Sequence, residues 1–191
     1  VTGVQTCALP ILLSIGIFGV ASIANSQTIR IGTEGAYPPW NNLNSAGELE
    51  GAEIDFGNEA CKRIGVTCEW VTQDWDGIIP ALLQGKYDII IAGMSITEER
   101  KEKVNFTTGY MTDGARFAVL KNSGLANLNI AGMAKVNLNN AGGKEQAAIG
   151  QLIAAMDGKT VCVQSSTIHQ NFLEKHMSGA VDVKLYQAVD D

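Results

Sequence analysis

An acid, several aromatic residues and an arginine stand at predicted loop ends of this chain, where they could recognise a small charged molecule. The acid is Glu34, which opens the aromatic and proline-rich segment Glu34–Trp40, and the arginine is Arg100, which closes the segment Met94–Arg100. A guanidinium binds a carboxylate through two parallel hydrogen bonds, a fork that lysine cannot reproduce. A carboxylate on a rigid loop suits an ammonium or guanidinium group, and an aromatic face can stack on the same cation. These residue types predict a binding cleft.

Strands alternate with helices from residue 28 onward, and this alternation predicts parallel sheets covered by helices. The predicted strands cover 28–32, 66–71, 87–92, 115–121, 159–163 and 181–186. The predicted helices cover 54–64, 76–84, 95–103, 145–156 and 166–176. The apolar run 87–92 shows little alternation, which is typical of a strand buried on both faces. In open sheets of this kind ligands bind beyond the carboxyl ends of the strands, where loops 33–40, 92–97 and 164–167 fall.

Polar residues at the starts of three predicted helices are candidate N-caps, because their side-chain oxygens can accept a hydrogen bond from the first helical turn. The candidates are Asp76 for the helix at 76–84, Ser95 or Thr97 for the next one, and Ser165 or Ser166 for the helix at 166–176. Ser95 has the capping-box spacing to a glutamate three residues later. The sequence leaves Ser95 and Thr97 as competing alternatives.

Composition and charge narrow the class of protein. The chain has 191 residues, of which 46% are hydrophobic, enough for one sizeable core or two small ones. Its formal net charge is −6 and no basic stripe is present, so nucleic acid is not an expected partner. The acidity is a weak pointer towards small cationic ligands.

Residues 1–24 resemble an export signal and are excluded from the predicted fold. The apolar run 8–20 is too short and too interrupted by Gly and Pro for a membrane span, and the small residues at 21–24 suit a cleavage site. The mature chain is then expected to begin near Asn25. The start is atypical, since the chain begins with Val1 and has no Lys or Arg before the apolar run. A buried first helix is the alternative.

The cysteines agree with export. Cys61 and Cys68 flank a turn-like hexapeptide, which would bring a helix end and the next strand close enough for a disulfide. Two reduced core cysteines are the alternative. Cys162 is predicted to be a buried strand residue with a free thiol. His169 and His176 stand seven residues apart without acidic or cysteine partners nearby, so no metal site is predicted.

Five segments, in their order and spacing, resemble the family 3 extracellular solute-binding proteins, the substrate receptors of polar amino-acid ABC importers. The segments are 31–40, 51–56, 74–78, 87–90 and 94–100. Within the family the chain is most similar to the lysine/arginine/ornithine and histidine binders, and closer still to the branch that takes octopine or nopaline. The resemblance covers about residues 28 to 191.

The resemblance implies an α/β, type II periplasmic binding protein fold with a ligand cleft between two lobes. Lobe 1 is expected at 25–115 and lobe 2 at 116–191. Both are expected to be incomplete, because the family's acid for the ligand α-amino group and the strand that returns to lobe 1 would follow Asp191. The chain is thus expected to be truncated at its C-terminal end.

The resemblance also assigns ligand contacts. It places the acid for a cationic side chain at Glu34, the aromatic that covers the ligand at Trp75, and the clamp for the ligand carboxylate at Arg100. The remaining predicted contacts are Tyr37, Ala92, Gly93, Met94, Ser95, Gln164, Ser166 and Thr167. Considered singly, such residues are more often solvated charges or core aromatics, and only their joint placement favours a ligand site.

The chain departs from the pattern of the family at four positions, one of which is Ile168, where a polar Gln is common. Ala52 replaces a usual aromatic in the Gly51–Phe56 segment, and Ala92 with Gly93 replaces a Ser-Ser pair common in the lysine/arginine binders. Two side-chain hydroxyls are lost there and the cleft wall recedes. A ligand of different shape or greater bulk is expected.

The predicted function is that of a monomeric periplasmic receptor that delivers a cationic amino acid or opine to a membrane permease of an ABC importer. The candidate ligands are arginine, lysine, ornithine, histidine, octopine and nopaline. No cofactor, metal or catalytic residue is predicted. The alternatives are a cyclohexadienyl dehydratase-like enzyme on the same scaffold and the ligand-sensing domain of a larger receptor.

Overall fold

A three-stranded parallel sheet forms the centre of the first half of the chain. The computed structural model describes residues 27–130 and 142–189. The strands are β1 (Thr28–Thr33), β5 (Thr67–Thr72) and β6 (Ile89–Ile90), in the order β5-β1-β6. The central strand carries the fully buried Ile31 at the heart of a cluster with Cys61 and Ile91. The predicted parallel α/β arrangement is present.

Helix α1 (Ala52–Ile64) crosses from β1 towards β5, and it ends where the sequence predicted. Gly65 adopts the left-handed conformation with φ 74°, which residues with a Cβ rarely adopt, and it closes the helix. Cys61 near the helix end is joined to Cys68 on β5 by a disulfide, which confirms the predicted bridge. The bridge fixes the helix against the sheet that it covers.

A small antiparallel sheet, which the sequence did not predict, begins within the loop expected at 33–40. It consists of β2 (Ala36–Tyr37), β3 (Asn41–Leu43) and β4 (Leu49–Glu50), in the order β2-β3-β4. Strands of two or three residues are too short to show an alternating pattern. The sheet nevertheless fixes the loop that follows β1, because Leu43 N–H donates to the Gly35 carbonyl at 2.9 Å.

The predicted helix at 76–84 is divided into a 3₁₀ turn, Trp75–Gly77, and helix α2, Ile78–Leu83. Asp76 lies inside the 3₁₀ turn and does not cap it, so its predicted capping role is wrong. Tyr87 holds α2 to the sheet, since its hydroxyl donates to the Ile78 carbonyl at 2.5 Å. Burial raises the pKa of Tyr87 to about 12. The hydroxyl therefore stays protonated and continues to donate.

The strand predicted at 87–92 is shorter and less buried than expected. Only Ile89 and Ile90 pair with β1, and Ile89 is 42% exposed. The strand has a neighbour on one side only among the described residues. The expectation of a strand buried on both faces is therefore wrong, although Tyr87 and Ala92 at its ends are buried.

The second half of the chain has its own core. Helices α4 (Gly143–Met156) and α5 (Ile168–Met177) pack near the parallel pair β7 (Thr160–Gln164) and β8 (Asp182–Tyr186). The buried members of this core are Met156, Val161, Leu173 and Met177. The separate cores are consistent with two lobes, while the lobe boundaries at 115 and 116 remain a prediction.

Two predictions in the second half are wrong. Cys162 lies on β7 but is exposed, because alternation along the strand directs Val161 inwards and Cys162 outwards. Residues 115–121 do not form a strand, since they have no partner among the described residues, and Leu120 is 78% exposed.

One region singled out in the sequence, the signal-like segment 1–24, falls outside the described residues. Within 27–130 and 142–189, no helix combines the length and apolar character that crossing a membrane requires.

Candidate functional site

Glu34 stands immediately after β1 and faces the loop that follows β7. Its Oε1 accepts a hydrogen bond from Gln164 Nε2 at 2.5 Å. The same Gln164 nitrogen donates to the Gln187 carbonyl at 3.0 Å. The acid and the glutamine belong to different halves of the chain, so this contact joins the loops that end β1 and β7. Both are predicted ligand residues, and the structure brings them together.

Arg100 lies on the short helix α3 (Glu98–Lys101), which Thr97 caps. Thr97 Oγ1 accepts from the backbone N–H of Arg100 at 3.2 Å, so the competing cap is the one used and the Ser95 cap is wrong. The guanidinium donates to the Ser95 carbonyl at 2.9 Å and to the Ser166 carbonyl at 3.3 Å. Arg100 therefore reaches the same second-half loop as Glu34.

Trp75 contacts both Arg100 and the Ser166 carbonyl. Its Nε1–H donates to the Ser166 carbonyl at 3.0 Å, and the Arg100 Cζ lies 5.2 Å from the centroid of its ring. The indole is 9% exposed and packs in a core cluster with Ile78 and Tyr87. A guanidinium over an indole face is attracted by about 0.5–2 kcal/mol, depending on desolvation. Trp75 thus supports Arg100 from within the core.

The local charge differs between the Arg100 end and the Glu34 end of this cluster. Burial lowers the pKa of Arg100, against the opposing charge of Glu99, but guanidinium groups remain protonated in proteins. Near Glu34, burial first, and then the negative charges of Asp113, Glu53 and Glu34, raise the pKa of Tyr37. The Arg100 end therefore suits an anion, and the Glu34 end suits a cation or a hydrogen-bond donor.

The loop after β6 contributes backbone rather than side-chain polar groups. Ala92 is buried, and Met94 packs against the Trp75 cluster. Gly93 has φ 57°, and a Cβ there would lie 3.1 Å from Tyr37 Cε1, so glycine is required by conformation and space. The N–H of Gly93 donates to Glu53 Oε1 at 2.7 Å, so this predicted backbone donor is engaged within the protein.

The loop after β7 begins α5 through Thr167 and not through either predicted serine. Thr167 Oγ1 accepts from Gln170 N–H at 3.2 Å and donates to the Gln164 carbonyl at 2.8 Å. Ser166 adopts φ 57°, and Ser165 Oγ donates to the Asp76 carboxylate at 3.0 Å. The predicted caps Ser165 and Ser166 are therefore wrong, and these residues lie in the turn that faces the first half of the chain.

A buried acid, Glu53, lies behind the site and is not among the residues predicted from the sequence. Glu53 is 2% exposed and accepts hydrogen bonds from Asn41, the Gly93 N–H and the Tyr110 hydroxyl. Burial first, and then the hydrogen bond to Glu53, raise the pKa of Tyr110, which keeps its hydroxyl a donor. A glutamate in the first turn of a helix usually reads as a solvated charge, so its type gave little signal.

Two cavities lie beside the site. One of about 420 Å³ is lined by the segment 104–109 together with Ile96 and Lys101. The other, of about 300 Å³, is lined by Trp40, Ala52, Glu53, Phe56, Tyr110 and Met111. The small Ala52 side chain borders this second cavity, at the position where the family pattern has an aromatic. Within 27–130 and 142–189, no three His, Cys, Asp or Glu residues cluster as metal ligands.

A curated relative matches most of this chain. The octopine-binding periplasmic protein of Rhizobium meliloti is 41% identical over 182 residues, which cover 94% of this chain and 62% of that protein. The chain thus spans about three fifths of the length of this relative.

Solved structures show the same architecture. A periplasmic His/Glu/Gln/Arg/opine family-binding protein from Silicibacter pomeroyi, solved in complex with lysine, matches with a TM-score of 0.59 and 36% identity. The match covers 85% of this chain and 59% of that one. An ancestral amino-acid-binding protein described as a precursor of cyclohexadienyl dehydratase matches with a TM-score of 0.65 and 31% identity, over 84% of this chain and 61% of that one.

These similarities agree with the mixed α/β sheets and with the loops that the sheets present. The fold is the type II periplasmic binding protein fold. Residues 29–186 match the model of the bacterial extracellular solute-binding proteins, family 3, and the chain belongs to that family.

Proposed function

We propose that the chain is the receptor component of an ABC importer, which binds a cationic amino acid or an arginine-derived opine in the periplasm and delivers it to a membrane permease. The octopine-binding relative and the lysine complex support this class of ligand. Glu34 would bind the cationic side chain, and Arg100 would bind the carboxylate. Ligand recognition of this kind requires no covalent chemistry.

One observation carries the proposal. The last residue of β7 gives a hydrogen-bond donor to Glu34, from the Gln164 amide, and the loop after β7 gives an acceptor to Arg100, from the Ser166 carbonyl. The two ends of arginine offer the same groups. Its side chain would donate to Glu34 in place of the Gln164 amide, and its carboxylate would accept from Arg100 in place of the Ser166 carbonyl. A ligand entering between these groups would replace two contacts that have one charged partner with contacts in which both partners are charged.

Closure around the ligand follows from the location of the site. The candidate groups are divided between loops of the first half, after β1 and β6, and the loop after β7 in the second half. A ligand held by both halves interacts fully only when they are close together. It therefore has a higher affinity for the closed form and shifts the equilibrium towards it.

Calorimetric titration of the purified protein tests the proposal. The ligands are arginine, lysine, ornithine, histidine, octopine and nopaline, with glutamate as a control that reverses the side-chain charge. At least one cationic ligand is expected to bind saturably and more tightly than glutamate. Absence of binding by all six would overturn the proposal.

An enzyme is the second candidate, because the chain is also similar to the precursor of cyclohexadienyl dehydratase. Such an enzyme would need an acid positioned to protonate a leaving group, and Glu34 is the acid in the candidate site. Incubation with prephenate or arogenate separates the two functions. Turnover that disappears in Glu34→Gln would favour the enzyme, whereas saturable binding of arginine without turnover would favour the receptor.

A further inference from the structure

A buried chain of polar groups runs behind the candidate site and connects two of its loops. The Gly35 N–H donates to Asn41 Oδ1 at 2.7 Å, and Asn41 Nδ2 donates to Glu53 Oε2 at 2.7 Å. The other carboxylate oxygen, Oε1, accepts from the Gly93 N–H at 2.7 Å. Asn41 is fully buried and Glu53 is 2% exposed. We call Gly35, Asn41, Glu53 and Gly93 the polar chain.

Local backbone structure determines the position of Glu53. Helix α1 begins after Gly51, whose φ is 125° and whose added Cβ would lie 2.3 Å from the Trp40 carbonyl oxygen. The N–H groups of Ala52 and Glu53 donate to the carbonyls of Pro39 and Trp40 at 3.1 and 2.9 Å. The first turn of α1 is thereby attached to the segment before β3. Its acid points inwards, and it gains from the positive end of the helix dipole.

The two ends of the polar chain are residues of ligand-facing loops. Gly35 follows Glu34 directly, and Gly93 lies in the loop that precedes Ser95 and Arg100. Gly93 takes a positive φ that turns its N–H towards Glu53 rather than towards the site. One buried carboxylate therefore sets the separation between the loop that carries Glu34 and the loop before α3.

The cost of disturbing this arrangement is high. A buried carboxylate is stable only when hydrogen bonds satisfy its oxygens, and removal of one partner leaves a buried group unpaired. Polar networks of this kind fix a single geometry when every member is satisfied. Glu53 has three donors, from Asn41, Gly93 and Tyr110.

We propose that Glu53 is a positioning residue of the ligand site, which sets the distance between Glu34 and the Arg100 loop and thereby the length of ligand that the site accepts. The proposal rests on the proposed function, since it needs a ligand held at both ends. Glu53 itself does not touch the ligand. It acts through the backbone of Gly35 and Gly93.

A donor-acceptor exchange provides the test. In Glu53→Gln the new amide N–H₂ faces Asn41 Nδ2, so two donors oppose each other and the link to Gly35 is lost. In Asn41→Asp two carboxylates face each other. In the double variant Asn41→Asp with Glu53→Gln, the new carboxylate accepts from the Gly35 N–H and from the glutamine, and complementarity returns. Glu59→Gln, an exposed acid on the same helix, is the matched control.

The readout is calorimetric affinity for arginine and for ornithine, which has the same two ends on a shorter side chain. Loss of a buried hydrogen bond predicts that Glu53→Gln weakens binding of the preferred ligand roughly ten- to hundredfold. The arginine-to-ornithine affinity ratio should change several-fold in Glu53→Gln and return towards the wild-type value in the double variant. Thermal melts recorded in parallel report stability alone.

The affinity ratio and the melting temperature separate a positioning role of Glu53 from a purely structural one. An unchanged arginine-to-ornithine ratio in folded Glu53→Gln overturns the positioning role, even when the melting temperature falls. If that variant does not fold, Tyr110→Phe removes a single hydrogen bond from Glu53 at a half-exposed side chain, and a ratio identical to the wild type would then overturn the proposal. Wild-type protein that binds none of the six candidate ligands instead refutes the proposed function itself.

Discussion

At the scale of single residues, the candidate site is defined by the opposite charges of Glu34 and Arg100. Each is held by a neutral group of one loop, the Gln164 amide or the Ser166 carbonyl. The Trp75 ring lies 5.2 Å from the Arg100 Cζ. A partly buried guanidinium held by neutral carbonyls should prefer a carboxylate, because the carboxylate carries a negative charge and can accept two parallel hydrogen bonds.

Replacement of Arg100 by lysine tests the fork geometry. Lysine keeps the positive charge but cannot donate two parallel hydrogen bonds. The affinity for an amino acid with a free carboxylate is expected to fall by about 1.5–3 kcal/mol, or roughly 10- to 100-fold, in calorimetric titrations.

Arg63→Lys is the matched control, since Arg63 is an exposed arginine on α1 that pairs with Glu59. Its affinity should equal that of the wild type. If Arg100→Lys also binds as tightly as the wild type, Arg100 does not clamp a carboxylate.

The sequence identified the charged and polar residues of the candidate site, but not the buried residue Glu53 that lies behind them. Glu34, Trp75, Arg100, Gln164 and Ser166 were all predicted from motifs, and the structure brings them into contact across the two halves of the chain. Their roles as ligand contacts remain predictions. These five residues could be predicted because their types and their positions in loops follow from short segments of the sequence.

The supporting hydrogen bonds of Glu53 could not be predicted from the sequence, for a physical reason. Glu53 bonds to a residue 12 positions earlier and to another 40 positions later. Such contacts arise from the packing of α1 against two loops. Neither periodicity nor local spacing carries information about them.

At the scale of secondary-structure elements, hydroxyl side chains position the ligand-facing loops. Thr97 caps α3, which carries Arg100, and Thr167 caps α5 after the Gln164 loop. The sequence placed both helix starts within three residues, but it left Ser95 and Thr97 open as the α3 cap and offered only serines for α5. Several hydroxyls stand close together at each start, and only the backbone conformation, such as φ 57° at Ser166, decides which one can cap.

A comparison of Thr167→Ala with Ser166→Ala tests the assignment of the α5 cap. Loss of the true cap is expected to lower the free energy of unfolding by about 1 kcal/mol in urea titrations. Ser166 is exposed, and its replacement should change stability by less than about 0.5 kcal/mol. The reverse order of the two effects would contradict the assignment.

The disulfide between Cys61 and Cys68 should stabilise the first half of the chain. It closes a short loop, with a sequence separation of 7, for which the chain-entropy model gives about 2–3 kcal/mol. The double variant Cys61→Ser with Cys68→Ser should therefore unfold at a lower denaturant concentration than the wild type.

Cys162→Ser serves as the control, because Cys162 is exposed and not bridged. It should leave the midpoint unchanged. Equal midpoints for the wild type and the double variant would show that the bridge does not contribute to stability.

Strand predictions failed where pairing, rather than composition, decides the structure. Residues 115–121 have an apolar pattern, yet they lack a strand partner among the described residues. Within the run 87–92, only Ile89 and Ile90 pair with β1, opposite Ile31 and Gly32. Intrinsic preference for strands is weak, and most of the stabilisation comes from cross-strand neighbours.

At the scale of the whole molecule, two units with separate cores meet through the loop after β7. Gln164, Ser165 and Ser166 contact Glu34, Asp76 and Arg100 respectively. The Ser165–Asp76 and Arg100–Ser166 hydrogen bonds are exposed to water and contribute little each, so these contacts alone would hold the halves together weakly. A ligand with charges at both ends would strengthen the closed arrangement.

The most direct test titrates wild type, Glu34→Gln and Arg100→Lys with arginine and two isosteric probes. Citrulline replaces the guanidinium with a neutral group, and argininamide replaces the carboxylate with a neutral amide. Glu34→Gln should lower the preference for arginine over citrulline by roughly tenfold and keep that over argininamide. Arg100→Lys should do the reverse, lowering the preference over argininamide by roughly tenfold, because lysine keeps the charge but loses the second parallel hydrogen bond. Variants that alter both preferences equally, or neither, would contradict the conclusion that Glu34 and Arg100 bind opposite ends of one ligand.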